Sequence, residues 1–486
     1  MIEQKRADPK RITPQSEDFD RWYVDTVLRA ELADYTPVRG CMVIRPYGFA
    51  LWENIQRALD DMFKRTGHEN MYFPLLIPES YLAKEAQHVE GFAPEVAWVT
   101  RGGGKELEEP LAIRPTSETI ICSLYTDWIH SWRDLPVKIN QWVNVCRWEK
   151  RTRLFMRTTE FLWQEGHTFH ETYDEAADEV ETMLGTYREL HEDWLAMPVI
   201  PGRKTDSEKF AGADYTVSIE AMMKDGWALQ AGTSHHLGQN FTRAYGIQFT
   251  DRGNELQHPY QTSWGLSTRV IGGLIMSHGD DAGLIMPPKV APVQVVVVPI
   301  VRSNDAEGSA LVEEAVARIE REVAGSVRLR VDRREGIRPG EKYAHWELRG
   351  VPLRIVVGAK DLAEERVTVV RRMDGLDQML PLDGLAARLP QLLAETQAAM
   401  FARARNELEE RSVHVTSLAE LVAAFAERPV FASGPFCNRP ECEVRIKEAV
   451  HALTVRNLRA DRTADGAPCI ACGDPADHVA LTARAY

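Results

Sequence analysis

The cysteines with the clearest chemical pattern lie in the last fifty residues of the chain. Four residues separate Cys437 from Cys442, and two residues separate Cys469 from Cys472. Two such pairs of thiolates are typical ligands of a closed, tetrahedral zinc site, which stabilises a fold and takes no part in chemistry. The spacing therefore predicts a structural Zn²⁺ site. Four reduced cysteines that share a region by coincidence are the alternative that the sequence leaves open.

A basic segment at 147–161 is the richest candidate for a phosphate site. It carries five Arg or Lys residues and two Glu residues between stretches that are typical of strands. Arg147, at a strand end, can bind phosphate oxygens through its forked guanidinium. Glu149 projects from the same strand face and can accept a hydrogen bond from an adenine amino group. Phe161 offers a surface on which a base can stack. A solvent-exposed basic hairpin loop is the alternative interpretation.

A run of small residues at 262–269 leads into an apolar helix and ends at Arg269. Small residues let a ligand approach the backbone closely. Arg269 would begin the helix and face the same site, although an arginine in that position is usually structural or solvated. The phosphate-binding patterns GxxxxGK[ST] and GxGxxG are absent from the sequence. A nucleotide site in this chain would therefore depend on positioned arginines.

These candidates must be held by helices and strands that do not alternate regularly. Apolar residues at helical spacing predict helices near 19–28, 51–63, 172–196, 306–324, 340–349 and 385–411. Strand-like segments lie at 111–115, 137–149, 161–170, 214–220 and 227–231. Because the order before residue 286 is not that of repeated βαβ units, the pattern predicts an α+β fold with a mainly antiparallel sheet.

The chain has recognisable internal divisions. Residues 1–15 are polar and predict a flexible tail. Three prolines at 286–292 predict a domain boundary. The apolar run at 293–300 beyond it is typical of a strand buried on both faces, and the alternation that follows predicts a small α/β domain with a partly parallel sheet.

Charge and hydropathy narrow the classes of function. The 486 residues carry a formal charge of -14, which taken alone opposes nucleic-acid binding. The segment 328–361 reverses that balance, with nine basic and five acidic residues. No apolar run is long enough to span a bilayer, and the first fifteen residues lack the apolar core of a secretory signal. We therefore expect a cytoplasmic protein without membrane contact.

Three segments together resemble the signature motifs of class II aminoacyl-tRNA synthetases. Met71-Tyr72-Phe73-Pro74 resembles motif 1, a dimer-interface strand. Arg147-x-Glu149 with Arg157-x-x-x-Phe161 resembles motif 2, and Gly265-Leu266-Ser267-Thr268-Arg269 resembles motif 3 without its second glycine. Longer strings resemble the prolyl-tRNA synthetase family: Arg114-Pro115-Thr116-Ser117-Glu118, Phe161-Leu162-Trp163-Gln164-Glu165-Gly166-His167, Lys209-Phe210-Ala211-Gly212 and Gln230-Ala231-Gly232-Thr233-Ser234-His235.

The resemblance implies the archaeal/eukaryotic-like form of that family, because no large editing domain fits between motifs 2 and 3. That form implies a class II catalytic domain with an antiparallel sheet at 16–287 and an α/β anticodon-binding domain at 288–400. A small C-terminal zinc-binding α/β domain would occupy 401–486 and end at Tyr486, whose carboxylate would turn toward the active site. The implied partners are L-proline, tRNA(Pro) and a second copy of the chain, and the implied cofactors are ATP, Mg²⁺ and structural Zn²⁺.

The resemblance also implies roles for individual residues. Catalysis falls to Arg147 and Arg269. Proline binding falls to Thr116, Glu118, Arg147, Trp163, Glu165, Phe210, His235 and Ser263. ATP binding falls to Arg147, Glu149, Arg157, Thr158, Phe161, Gln230, Thr233, Ser267 and Arg269. Anticodon reading falls to Glu347, Arg354, Lys360 and Asp361, and metal binding to Cys437, Cys442, Cys469 and Cys472.

Alternatives stay open at this point. Trp163 and Phe210 could be core residues, and His235 could be a structural histidine. Another class II synthetase, such as one for threonine or histidine, and a non-catalytic synthetase-like regulator are the rival functions. A proline pocket would also discriminate weakly against alanine, because one methylene contributes only ~1–3 kcal/mol, so alanine mischarging is a further hypothesis.

Overall fold

The computed structural model describes residues 12–88 and 96–486. Most of the predicted tail, residues 1–11, lies outside that range. Ile12 is packed in the core, and the Thr13 hydroxyl donates to Asp25 at 2.8 Å, so the chain is already anchored there. Within the described ranges, no helix has the length and apolar character needed to cross a membrane.

A mixed sheet of eleven strands dominates the described part of the chain. Its neighbours pair antiparallel, except for one pair at each edge, which is parallel. This confirms the predicted α+β fold with a mainly antiparallel sheet. In spatial order the strands are Ser412–His414, Phe431–Phe436, His478–Arg484, Leu453–Thr463, Val199–Arg203, Tyr215–Met222, Ala228–Gly238, Tyr260–Ser267, Glu160–His170, Val137–Cys146 and Glu69–Asn70.

Helices cover this sheet and complete its core. The helix Tyr173–Glu189 begins at a capping box, in which the Thr172 side chain accepts from the Glu175 backbone N–H and the Glu175 carboxylate accepts from that of Thr172. It ends seven residues before the predicted limit of 196, because a π-helical turn at Leu190–Trp194 replaces the α-helical hydrogen bonds. The other helices of this part are Phe19–Arg29, Pro46–Arg65, Glu79–His88, Glu118–Tyr125, Asn240–Tyr245 and Arg269–His278, with a 3₁₀ turn at Trp132–Asp134.

Three smaller sheets flank the large one. The chain pairs Ala33–Tyr35 with Met42–Ile44, and Phe249–Thr250 with Leu256–Gln257. A three-stranded sheet contains Leu76–Pro78, Lys105–Ile113 and Trp98–Gly102. The last of these sheets follows the motif 1 segment, and the strand Glu69–Asn70, immediately before that segment, lies at the edge of the large sheet.

A separate sheet of five strands forms beyond the proline-rich segment, as the sequence predicts. Its first three strands pair parallel and the remaining ones antiparallel, so the sheet is partly parallel. The strands in spatial order are Leu329–Val331, Val295–Ile300, Leu353–Gly358, Arg366–Arg371 and Asp377–Pro381. The helices that accompany them are Ala306–Val323, Pro339–Leu348, Ala359–Leu362 and Leu385–Glu410.

The C-terminal segment extends the large sheet. Its strand Leu453–Thr463 pairs antiparallel with Val199–Arg203, with Leu458 opposite Arg203. The helix Pro440–Ala449 packs on this strand, and the helix Leu418–Glu427 packs against that helix. The helix Leu385–Glu410 runs through the predicted division between residues 400 and 401. The last part of the chain therefore shares hydrogen bonds with the sheet that carries the candidate site, while the exact domain limits stay predictions.

Candidate active site

A cavity of about 330 Å³ opens on the large sheet. Its walls come from the strands Glu160–His170, Ala228–Gly238 and Tyr260–Ser267, the start of the helix Arg269–His278, and the segment 116–118. Adjacent antiparallel strands bring side chains from distant parts of the sequence to one face at spacings near 5 Å. This is how segments more than a hundred residues apart meet in one site.

Close packing behind the cavity fixes one of its walls. Gly166 lies directly opposite Trp264 in the strand register. A Cβ atom on residue 166 would lie only 2.0 Å from the Trp264 ring, which is itself fully buried. Glycine at position 166 is therefore required for this aromatic ring to lie flat against the sheet, where it forms part of the cavity lining.

A buried carboxylate, Glu165, anchors the acidic end of the cavity. It accepts hydrogen bonds from the Ser117 hydroxyl, from Gln141 Nε2 at 2.6 Å and from His167 Nε2 at 3.2 Å. Burial alone would raise the pKa of Glu165, but these hydrogen bonds and the charge of His167 bring the pKa below its usual value. The same pairing outweighs burial at His167 and raises its pKa. Glu165 is therefore an ionised group.

A second carboxylate, Glu118, lies beside the first. The Thr116 hydroxyl donates to it, and it is only 4 % exposed. Ligand atoms of Glu118, Glu165 and His167 lie within 4.8 Å of one another. Two carboxylates this close favour a bound cation, which can be a metal ion or a substrate ammonium.

Aromatic rings and a neutral histidine line the region next to these carboxylates. The rings of Phe210 and His235 lie 4.7 Å apart, and Trp163 contributes another surface. Burial lowers the pKa of His235 to about 3, so the ring is uncharged. The Thr216 hydroxyl accepts from the Phe210 N–H at 3.0 Å and lies 2.9 Å from His235 Nδ1. The Thr216 hydroxyl can therefore donate a hydrogen bond to Nδ1 of the neutral His235 ring. In that arrangement the N–H of the ring is at Nε2. The Ser263 hydroxyl, also in the lining, has no hydrogen-bond partner among the described residues.

The basic side of the cavity begins with Arg147. Its Nε donates to the Pro115 carbonyl at 3.0 Å, and its guanidinium carbon lies 5.1 Å from the Trp163 ring centre and 5.7 Å from that of Phe161. These contacts fix the plane of the guanidinium while leaving the terminal nitrogens to a ligand. Burial holds the pKa of Arg147 below its usual value, and the attraction of Glu118 and other carboxylates opposes that shift.

Arg269 brings a second guanidinium to this side. Its Nε donates at 2.9 Å to the carbonyl of Met156, which belongs to the basic segment 147–161. Burial lowers the pKa of Arg269, and repulsion from Arg147 and Arg157 lowers it further. Several arginines close enough to repel one another beside a cavity favour the binding of a polyanion there. Arg157 itself is bonded to Glu149 at 2.6 Å.

The structure brings most of the predicted substrate residues together. The cavity lining contains each of the predicted proline-binding residues: Thr116, Glu118, Arg147, Trp163, Glu165, Phe210, His235 and Ser263. Of the predicted ATP residues it contains Arg147, Phe161, Gln230, Thr233, Ser267 and Arg269. Glu149 and Arg157 pair with each other outside the lining. Thr158 is also outside the lining; it is buried, and its hydroxyl has no partner in the described part of the chain. Their roles stay predictions.

Sequence reasoning missed an ionic cluster at the cavity wall. Lys204 lines the cavity and is bonded to Glu220 at 2.9 Å. Glu220 also accepts from Arg456, which belongs to the C-terminal segment. A lysine that follows Pro201 and Gly202 in a polar stretch gives no sequence signal of burial, so only the fold identifies it. His167, which the sequence ranks low, also lines the cavity.

The predicted anticodon residues fall into two groups. Glu347 and Arg354 line a cavity of about 210 Å³ beside the five-stranded sheet. Arg354 stacks over Tyr343 at 4.3 Å, and its Nε is buried without a partner among the described residues. Lys360 and Asp361 lie in the short helix Ala359–Leu362, after the far end of the strand that begins at Leu353. The structure therefore does not place all of them in one pocket.

The four C-terminal cysteines do meet. Their sulfurs lie within 4.8 Å of one another, with Cys437 Sγ at 3.5 Å from Cys442 Sγ and 3.9 Å from Cys472 Sγ. Four thiolates around a zinc ion at about 2.3 Å would be about 3.8 Å apart, so the set fits a tetrahedral ZnS₄ site. Arg439 also contacts two of these sulfurs and would offset part of their negative charge.

At the C-terminus, the Tyr486 phenol donates to Asp225 and its ring lies 5.3 Å from that of Trp227. Its backbone N–H donates to the Ala228 carbonyl at 3.2 Å, at the start of a strand that lines the cavity. The end of the chain thus packs beside the site.

An antiparallel sheet with paired arginines from a strand end and a helix start defines the class of protein. Family models agree: residues 98–278 match the tRNA synthetase class II core domain (G, H, P, S and T). Residues 294–392 match an anticodon binding domain, and residues 418–486 match the prolyl-tRNA synthetase C-terminal domain. The chain has the core of a class II aminoacyl-tRNA synthetase.

Comparison with whole proteins narrows the family. Proline–tRNA ligase 2 of Clostridioides difficile (strain 630) is 50% identical over 487 residues, which cover 100% of both chains. The chloroplastic/mitochondrial proline–tRNA ligase of Arabidopsis thaliana is 49% identical over 100% of this chain and 90% of its own. The crystal structure of prolyl-tRNA synthetase from Cryptosporidium parvum, complexed with halofuginone and AMPPNP, is 39% identical with a TM-score of 0.93, over 98% of this chain and 99% of that one. The chain belongs to the proline–tRNA ligase family.

Proposed function

We propose that this chain ligates L-proline to tRNA(Pro) in an ATP-dependent reaction with a prolyl-adenylate intermediate. One observation of the site carries the proposal: paired carboxylates, Glu118 and Glu165, lie at one end of an aromatic-walled cavity whose other side carries Arg147. That arrangement fits a small amino acid whose ammonium and carboxylate point in opposite directions. Membership of the proline–tRNA ligase family identifies the amino acid.

Proline has a secondary ammonium with two N–H donors and a saturated five-membered ring. Glu118 and Glu165 offer acceptors on one side for both donors. Trp163 and Phe210 provide apolar surfaces for the ring, and the uncharged His235 can donate from Nε2 to the proline carboxylate. Buried, ordered acceptors of this kind favour an ammonium, because the free carboxylates repel each other when the site is empty.

In the first step, a proline carboxylate oxygen attacks the α-phosphorus of ATP. The bond from that phosphorus to the bridging oxygen breaks, and pyrophosphate leaves. Arg147 lies where its free guanidinium nitrogens can stabilise the charge that develops on the α-phosphate. Arg269 and Arg157 would hold the outer phosphates, and Phe161 would stack on adenine while Glu149 accepts from its amino group.

Mg²⁺ is carried into such sites largely by phosphate oxygens. Gln230 and Thr233 bring neutral oxygen ligands to the cavity, so the residues present fit that ion. Bound Mg²⁺ would neutralise phosphate charge and orient the leaving group. The protein's own contribution is positioning, since no covalent nucleophile is required.

In the second step, a terminal ribose hydroxyl of the tRNA attacks the prolyl carbonyl and releases AMP. Glu347 and Arg354 would read unpaired anticodon bases from their own cavity, with Lys360 and Asp361 at a second position. Zn²⁺ bound by the four cysteines would stabilise the C-terminal segment and take no part in either step.

A homodimer is part of the proposal. Large apolar side chains near motif 1 are exposed in the single chain: Tyr72 is 70 % exposed, and Leu76 and Trp98 in the adjoining small sheet are 38 % and 43 % exposed. Apolar groups clustered in this way favour an interface. We expect Tyr72→Asp to convert a dimer into monomers in sedimentation experiments, whereas Leu311→Asp, at an exposed apolar residue of the helix Ala306–Val323, should not.

ATP–pyrophosphate exchange with single amino acids tests the proposed activity. We expect exchange that depends on proline, with a weaker response to alanine. Exchange with threonine or histidine instead would show another class II synthetase, and no exchange with any amino acid would show a non-catalytic relative. Negligible exchange with alanine would remove the mischarging hypothesis alone.

A further inference from the structure

Lys204 stands out among the cavity residues that the reaction described above does not use. It is 5 % exposed, yet it lines the cavity. Its Nζ donates to Glu220 at 2.9 Å and to the Arg456 backbone carbonyl at 2.8 Å. An ammonium has three N–H donors. Among the described residues, these two hydrogen bonds use two of the three N–H donors of Lys204. One N–H donor therefore stays available to a ligand in the cavity.

The charge of this cluster points to the chemistry of what fills it. Glu220 is fully buried and accepts from Arg456 Nε at 3.0 Å and Nη2 at 2.8 Å in addition to Lys204. The buried set of two cations and one carboxylate thus carries a net positive charge. Glu208, a second carboxylate that acts on Lys204, also lines the cavity, but it is partly exposed and its charge is offset by Lys447, to which it is bonded at 2.7 Å. Excess buried positive charge is unfavourable unless an anion is bound beside it.

The position of the cluster limits which anion can reach it. Glu220 lies opposite Gln230 in the strand register, and Arg456 is close enough to Arg269 to repel it. Lys204 also faces His235, whose protonated form it disfavours. Lys204 therefore borders a cavity wall that also carries Gln230, a predicted ATP-binding residue, and His235, a predicted proline-binding residue.

We propose that Lys204 binds an oxyanion of the reacting substrates and that Arg456, from the C-terminal segment, positions it. Arg456 occupies one oxygen of Glu220, which leaves Lys204 only partly neutralised and aimed at the cavity. The C-terminal segment then contributes to the active site through one side chain, in addition to its sheet contacts. This inference rests on the proposed ligase activity for its kinetic test.

The experiment compares Lys204→Met with wild type in proline-dependent exchange and in calorimetric titrations with inorganic pyrophosphate alone and L-proline alone. The loss of a charged hydrogen bond should weaken the binding of one of these ligands about 10- to 100-fold. A rise in KM for ATP and in the Kd of pyrophosphate identifies a phosphate oxygen as the bound group. A rise in KM and Kd for proline identifies the carboxylate. The variant should fold, because Glu220 keeps its hydrogen bonds from Arg456.

Two further variants separate positioning from a structural role. Arg456→Gln should weaken the binding of the same ligand. Arg456→Lys should restore that binding, because the positive charge beside Glu220 is kept. Arg411→Gln removes a hydrogen bond between the same two parts of the chain, from Arg411 Nη1 to the Lys224 carbonyl at 2.6 Å, outside the cavity lining, and should leave every constant unchanged. The proposal is overturned if Lys204→Met leaves each KM and Kd within about threefold of wild type, or if Arg411→Gln has the same effect. A wild-type protein without proline-dependent exchange would instead refute the ligase activity, while the pyrophosphate titration would still test Lys204.

Discussion

Substituting Arg147 by alanine should abolish most of the first step without unfolding the protein. The side chain makes one hydrogen bond to the rest of the described chain, from Nε to the Pro115 carbonyl, and contacts the rings of Trp163 and Phe161. Losing one hydrogen bond and these contacts costs about 2 kcal/mol of folding free energy. A protein of this size should remain folded after such a loss.

The effect on the reaction should be far larger. The two terminal nitrogens of Arg147 have no partner in the described part of the chain and are free for substrate oxygens. Each charged hydrogen bond contributes about 1.5–3 kcal/mol, so two of them correspond to about 100- to 10,000-fold in kcat/KM. Arg147→Lys keeps the charge but loses the fork and should fall in between.

The assay is proline-dependent ATP–pyrophosphate exchange, with circular dichroism to show that the variant is folded. Arg151→Ala is the matched control, because Arg151 is an exposed arginine of the same basic loop. It should exchange at the wild-type rate in this assay, which contains no tRNA. If Arg147→Ala stays within about threefold of wild type, the assignment of Arg147 to the reacting phosphate is wrong.

Three other outcomes are expected. Cys469→Ser should reduce bound zinc from one ion per chain to none by elemental analysis and lower the Tm, whereas a metal-free wild type would refute the site. Arg354→Ala should raise KM for tRNA about 10- to 100-fold and leave exchange unchanged, while Arg366→Ala on the neighbouring strand should change neither; equal effects would show a general charge contribution. Burial lowers the pKa of four histidines to about 3 or about 4 in the folded protein. Below pH 6.5 these histidines therefore bind protons in the unfolded chain but not yet in the folded chain. The unfolding free energy should then decrease by about 1.4 kcal/mol per pH unit for each histidine as the pH falls. Urea unfolding at pH 7.5 and 5.5 measures this, and equal stability would contradict it. These histidines are His170, His191, His235 and His278.

Local sequence patterns were sufficient for most of the elements that hold the site. The strand-like segments at 137–149 and 161–170 correspond to the strands Val137–Cys146 and Glu160–His170, although the first of these strands ends three residues before the predicted limit. Sequence spacing also predicted the two cysteine pairs, because a short interval keeps the two ligands of a pair close, whereas the fold brings the pairs together across the 26 residues between them.

Contacts between distant residues could not be read in the same way. Lys204 and Arg456 are 252 residues apart, and their hydrogen bond exists only because the C-terminal strands extend the large sheet. Likewise, the sequence predicts that Glu149 and Arg157 contact ATP, and it gives no sign of the ion pair that the two form with each other outside the cavity lining. Periodicity predicts which face of a strand is buried, not which strand lies next to it.

The most direct test of the account is the formation of prolyl-tRNA from purified protein, ATP, Mg²⁺, radiolabelled L-proline and a tRNA(Pro) transcript. We expect label in the acid-precipitated tRNA fraction, lost when ATP is omitted, and greatly reduced with a transcript whose anticodon bases are exchanged. Proline-dependent pyrophosphate exchange without transfer to tRNA, or transfer of a different amino acid, would contradict the account.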